Sequence, residues 1–159
     1  MASKNGNVVI VVLGNELRGD DGAGILFGNL LGEQTSLNVV NGGDTPENFT
    51  GIIVEKCPDI VLIVDAMNFN GKPGDIKLVS GENLEKDSVS THGSLRLFVD
   101  YLEKMTGAQI LVLGFQPFST GLGEKISQEV SESVREIVKH FIDSASISQV
   151  LQILKVKYC

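Results

Sequence analysis

Apolar runs rich in β-branched residues recur along the chain, and each is closed by a glycine or a carboxylate. Residues 7–13 (NVVIVVL) lead to Gly14, residues 60–64 (IVLIV) end in Asp65, and residues 109–113 (QILVL) end in Gly114. Uninterrupted runs of this kind read as strands buried on both faces, the mark of a parallel sheet covered by helices. Weaker strands are predicted at 37–41 (LNVVN), before Gly42-Gly43, and at 75–79 (DIKLV). Gly71, Pro73 and Gly74 make the stretch 68–80 turn back, which sets its strand antiparallel at a sheet edge.

Between these runs the apolar period becomes helical. Residues 22–33 place Ile25, Leu26, Leu30 and Leu31 on one face. A helix over 46–56 begins with Pro46 behind Thr45, proline being suited to a first turn. Residues 93–105 carry Leu95, Phe98, Val99 and Leu102 as a stripe. Residues 127–143 begin with Ser127 and carry Val130, Val134, Ile137, Val138 and Phe141. Strands alternating with helices predict an α/β fold with a mainly parallel sheet and helices on both sides. Residues 115–126 read as an irregular loop. The tail 144–159, with Ile147, Val150, Leu151 and Leu154, suits an extra amphipathic helix, packed on its own domain or offered to a partner.

Composition narrows this picture. With 159 residues, 42% of them hydrophobic, the chain suits one domain spanning 1–159 with a single core, and no linker or repeat suggests a boundary. Trp is absent and aromatics are 6%, so the core is expected to be aliphatic. A net charge of −7 excludes nucleic acid as the main partner and suits a cation or a basic segment. Two distant cysteines, Cys57 and Cys159, argue against a disulfide scaffold; Cys57 is expected to be a buried or half-buried thiol. No run reaches the roughly 18–20 apolar residues of a membrane span, and no signal segment is visible, so the expected location is the cytoplasm.

In open α/β sheets, ligands sit beyond the carboxyl ends of the strands. The segment after the first strand, Gly14-Asn15-Glu16-Leu17-Arg18-Gly19-Asp20-Asp21-Gly22, has neither the dinucleotide glycine spacing nor a Gly-Lys-Ser/Thr. Two carboxylates at a helix start would repel a phosphate and attract a cation. Asp20 is read as a local cap and dipole partner, and Asp21 as equally suited to that role or to a ligand. Asp65, ending the most apolar strand, must be desolvated or partnered. His92 lies at a loop-to-helix junction, whereas His140 sits near a helix end. Two carboxylates and one imidazole suit a divalent ion with open positions, Zn, Ni, Mn and Fe among them. No nucleophile elbow is present, and Cys57 has no histidine nearby in sequence.

Three motifs together, GNELRGDDGAG, Asp65 in IVDAMNFNGKPGDI, and Ser90-Thr91-His92-Gly93, resemble the hydrogenase maturation endopeptidases. GGDTPEN and LGFQP are similar to the subgroup serving membrane-bound, energy-converting hydrogenases. The likeness spans about residues 8–143, in order and at the family's spacing. It implies a three-layer sandwich, with a twisted, mostly parallel five-stranded sheet between helices. It implies an enzyme that removes the C-terminal extension of a nickel–iron hydrogenase large-subunit precursor after nickel insertion. It implies Asp21, Asp65 and His92 as both catalytic and metal-binding residues, with Glu16 excluded. The nickel would be carried by the precursor, with another divalent metal able to occupy the ligands in isolation. The implied partner is the precursor's C-terminal peptide, with no nucleic acid or membrane and the enzyme a monomer. Asp44 departs from the Ser or Thr that relatives often carry after the Gly-Gly pair. The alternatives are a non-catalytic nickel-binding assembly factor, or another metal-dependent amidohydrolase or peptidase.

Overall fold

Helices alternate with strands from Val8 onward in the computed structural model, which describes residues 6–84, 89, 90 and 95–159. The order is β1 (Val8–Leu13), a 3-10 turn (Gly19–Gly22) running into α1 (Ala23–Gln34), β2 (Val39–Gly43), a second 3-10 turn (Pro46–Phe49) running into α2 (Thr50–Glu55), β3 (Ile60–Asn68), β4 (Ile76–Ser80), a short 3-10 turn (Gly81–Asn83), β5 (Val89–Ser90), α3 (Leu95–Thr106), β6 (Gln109–Phe115), α4 (Gln128–Asp143) and α5 (Ile147–Tyr158). Five strands lie side by side as β2-β1-β3-β6-β4. All neighbours run parallel except β4, which is antiparallel to β6 at the edge, as the turn-back over 68–80 predicts. The two-residue β5 pairs antiparallel with the end of β3.

Strand geometry sends successive side chains to opposite faces. Val8, Ile10 and Val12 of β1 join Leu62 and Val64 of β3 beneath α1, α4 and α5. Val9, Val11 and Leu13 join Val61 and Ile63 beneath α2 and α3. Both faces are therefore covered, which is why these strands are continuously apolar rather than alternating. Each fully buried Val, Leu or Ile contributes about 1.5–3 kcal/mol of transfer free energy.

The tail is an integral part of the first layer. Ser146 caps α5 by accepting from the Gln149 amide at 3.2 Å. Val150, Leu151 and Leu154 are buried in the same cluster as the α1 and α4 side chains. Of the two readings of the amphipathic tail, packing on its own fold is the one realised. No helix among the described residues is long and apolar enough to cross a membrane.

Several expectations shift. The helix expected over 46–56 divides into a 3-10 turn and a six-residue α2. The start expected at 22 is likewise a 3-10 turn that becomes α-helical at Ala23. β2 lies two residues later than predicted and includes Gly42 and Gly43. β3 does not stop at Asp65 but runs on to Asn68, because Asp65 and Ala66 continue the parallel ladder with Gly114 and Phe115. Cys57 is exposed, not buried: it follows α2 with a left-handed φ of 48°, at a turn that faces solvent. Cys159 is also exposed.

Candidate active site

The chain leaves β1, passes through α1 to β2 on one side, and later enters β3 on the other. The crevice between β1 and β3 is thus the topological switch point, where α/β sheets bind ligands. Two glycines allow the first loop to press into it. Gly14 has φ 139° and donates its N–H to the Gly43 carbonyl at 2.9 Å. The Asp21 carbonyl, which accepts from the Asn15 amide at 3.0 Å, occupies the space a Gly14 Cβ would need. Gly24, at the start of α1, lies directly against the carbonyls of Leu13 and Val64, with no room for a side chain. The helix therefore begins on the ends of β1 and β3, and the Gly19–Gly22 turn contacts β3.

This arrangement brings two of the three expected site residues to one end of the sheet. Asp21, on the turn, is 4% exposed, and Asp65, within β3, is 0% exposed. The Asp65 Oδ1 accepts from the Ala66 amide at 2.8 Å. Carboxylates so far from water are costly unless hydrogen-bonded, paired or bound to a cation. Their oxygens are hard donors that suit a divalent ion, and a nearby imidazole would extend the set to nickel or zinc. The third residue, His92, lies outside the described residues, so the complete trio is not observed. Among the described residues no three His, Cys, Asp or Glu side chains form a metal-binding group. Glu16 and Asp44 are both exposed.

Asp20 is structural, but not in the way expected. No side chain caps the Gly19–Gly22 turn or α1. Instead the Asp20 carboxylate, 1% exposed, reaches across to the 116–127 loop. Its Oδ2 accepts from the Phe118 amide at 2.8 Å, the Ser119 amide at 3.4 Å and the Ser127 hydroxyl at 2.9 Å, and its Oδ1 accepts from the Ser127 amide at 2.6 Å. Backbone bonds from Gly19 N–H to the Glu124 carbonyl and from Asp20 N–H to the Ser119 carbonyl close the same seam. The Ser127 Oγ in turn accepts from Val130 and caps α4.

Gln116 is a buried polar residue that sequence reasoning assigns only to the loop after β6. It is 6% exposed. Its Oε1 accepts from the amides of Phe69 at 2.8 Å and Gly71 at 3.0 Å, and its Nε2 donates to the Asn68 Oδ1 at 3.1 Å. The signal that could have found it is a long-chain amide placed between an apolar strand and Pro117. A groove of about 400 Å³ lies between the start of α2 and α3; Glu47, Thr50, Leu97, Phe98 and Tyr101 line it, and Leu97 is 72% exposed.

The model of the hydrogenase maturation protease family matches residues 28–144. The Hydrogenase 3 maturation protease of Escherichia coli K12 is 32% identical over 133 residues, covering 81% of this chain and 85% of that protein. The crystal structure of the NiFe hydrogenase maturation protease HycI from Thermococcus kodakarensis KOD1 superimposes with a TM-score of 0.80 at 33% identity, covering 94% of this chain and 95% of that one. The solution structure of the endopeptidase HycI from Escherichia coli gives a TM-score of 0.75 at 26% identity, covering 86% and 89%.

Proposed function

Because the chain belongs to the hydrogenase maturation protease family, a family of endopeptidases, we propose that it removes the C-terminal extension of a nickel–iron hydrogenase large-subunit precursor once nickel is in place. Asp21, Asp65 and His92 are the residues that meet the nickel held by that precursor. The observation that carries this reading is the burial of both acids of the expected trio at the carboxyl end of the sheet, while Glu16 in the same loop stays exposed.

Nickel supplied with the substrate would add Lewis acidity at the scissile carbonyl or at the attacking water. The chain's own part is to position and to move protons. Gly14 and Gly24 let the Asp21-bearing turn pack against the end of β3, which preorganises the acids before substrate arrives. Water adds to the carbonyl carbon, a carboxylate of the site accepts its proton, and the departing amine takes a proton as the C–N bond breaks. Nickel in the precursor thereby serves as the licence for cleavage.

The test uses purified precursor in nickel-loaded and nickel-free forms. Wild-type protein is expected to shorten only the loaded form, and Asp65→Asn neither. Equal cleavage of the nickel-free form, or full activity of Asp65→Asn, overturns the reading.

A further inference from the structure

We infer that Gln116 is a positioning residue for β5, the strand that ends two residues before His92 in sequence. The inference rests on the proposed role of His92. A neutral amide taken out of water costs several kcal/mol unless its hydrogen bonds are replaced. Gln116 replaces them on a single target, the segment that follows Asp65. Its side-chain oxygen takes the Phe69 and Gly71 amides and its nitrogen holds Asn68. Two N–H donors meeting one atom and a carbonyl oxygen meeting the other fix which end is which. The backbone of Gln116 adds two more ties, donating to the Asp75 carbonyl at 2.8 Å and accepting from the Gly74 amide at 2.9 Å. One residue thus fastens both ends of the β3–β4 connection.

Asn68 is where this clamp reaches the site. Asn68 and Met67 are the residues of β3 that pair with Val89 and Ser90 of β5. Thr91 and His92 follow Ser90 directly in sequence. Asp65 immediately precedes this three-residue extension of β3, Ala66–Asn68. Gln116 therefore holds the short piece of strand that follows one proposed ligand and receives the strand leading to another. β5 is only two residues long and pairs with β3 alone among the described strands, so its placement depends on where β3 ends.

Chemistry of this kind needs its groups placed within about half an ångström. Releasing Asn68 should lower turnover without weakening capture of the precursor. The test compares Gln116→Leu and Asn68→Ala with wild type on nickel-loaded precursor, alongside the ring resonances of the protein's two histidines, His92 being assigned by its loss in His92→Ala. The expected result is a fall in kcat of at least tenfold with KM within twofold, together with displaced His92 signals and unmoved His140 signals. A variant that is folded by its circular-dichroism melt and keeps either its kcat or its His92 signals overturns the inference. If Gln116→Leu does not fold, Asn68→Ala decides alone, since Asn68 is exposed. If wild type leaves the precursor uncut, the proposed function fails, and the His92 signals still decide whether Gln116 places that strand.

Discussion

Asp20 and Asp21 are neighbours in the chain, both buried, yet they belong to different regions. Asp20 lies in the seam between the Gly19–Gly22 turn and the 116–127 loop, where two amides close to ideal distance, a third at longer range and one hydroxyl account for its oxygens. Asp21 lies on the other side of the turn, at the crevice between β1 and β3, with its carbonyl filling the space above Gly14. Burial alone does not separate a strut from a ligand. Their places differ: Asp20 is answered by a loop that it fastens, whereas Asp21 lies at the crevice where the proposed function puts the substrate's nickel.

The largest expected effect is on the crevice side. Asp21→Asn should lower precursor processing by at least about 100-fold, or about 2.7 kcal/mol in the barrier, while the Tm stays within a few degrees. A large loss of Tm with processing retained would reverse the two roles. On stability rather than on the barrier, the main effect is that of Gly24→Ala, which places a methyl group against the Leu13 and Val64 carbonyls. Overpacking at backbone should cost about 3 kcal/mol, a Tm loss on the order of 6–12 °C in a calorimetric scan, and should damage processing as well. Leu154→Ala, far from the crevice and fully buried, should cost a similar amount, about 2–4 kcal/mol, but leave processing per folded molecule unchanged. Asp20→Asn should cost about 2 kcal/mol in denaturant unfolding, because one oxygen of the carboxylate becomes an NH₂ facing donors; its folded fraction should still process precursor. The smallest effect belongs to Glu16→Gln, on the exposed part of the loop, with processing within twofold of wild type.

The strands β1, β3 and β6 are legible in the sequence because residues buried on both faces leave no polar position in the run. The antiparallel edge is legible from Gly71, Pro73 and Gly74. The extension of β3 past Asp65 is not, because a polar side chain marks where chemistry sits and says nothing about whether the backbone keeps pairing. The partners of Asp20 are hidden for a different reason. They lie 98 to 107 residues further along the chain, and no local pattern reports so distant a bond. The acids Asp21 and Asp65 are legible as polar residues following two of the most apolar runs, and both are buried. The exposure of Cys57 escapes sequence reasoning because thiols are usually buried, whereas the left-handed turn after α2 carries this one outward.

The central claim is cleavage of a large-subunit precursor at its C-terminus, and the mass of that subunit tests it most directly. The large subunit is co-expressed with wild-type protein or with the Asp21→Asn variant and weighed intact by mass spectrometry. Wild type should yield a subunit lighter by one C-terminal segment, and Asp21→Asn should leave the precursor at full mass. A subunit of full mass beside wild-type protein, or a shortened one beside Asp21→Asn, contradicts the account.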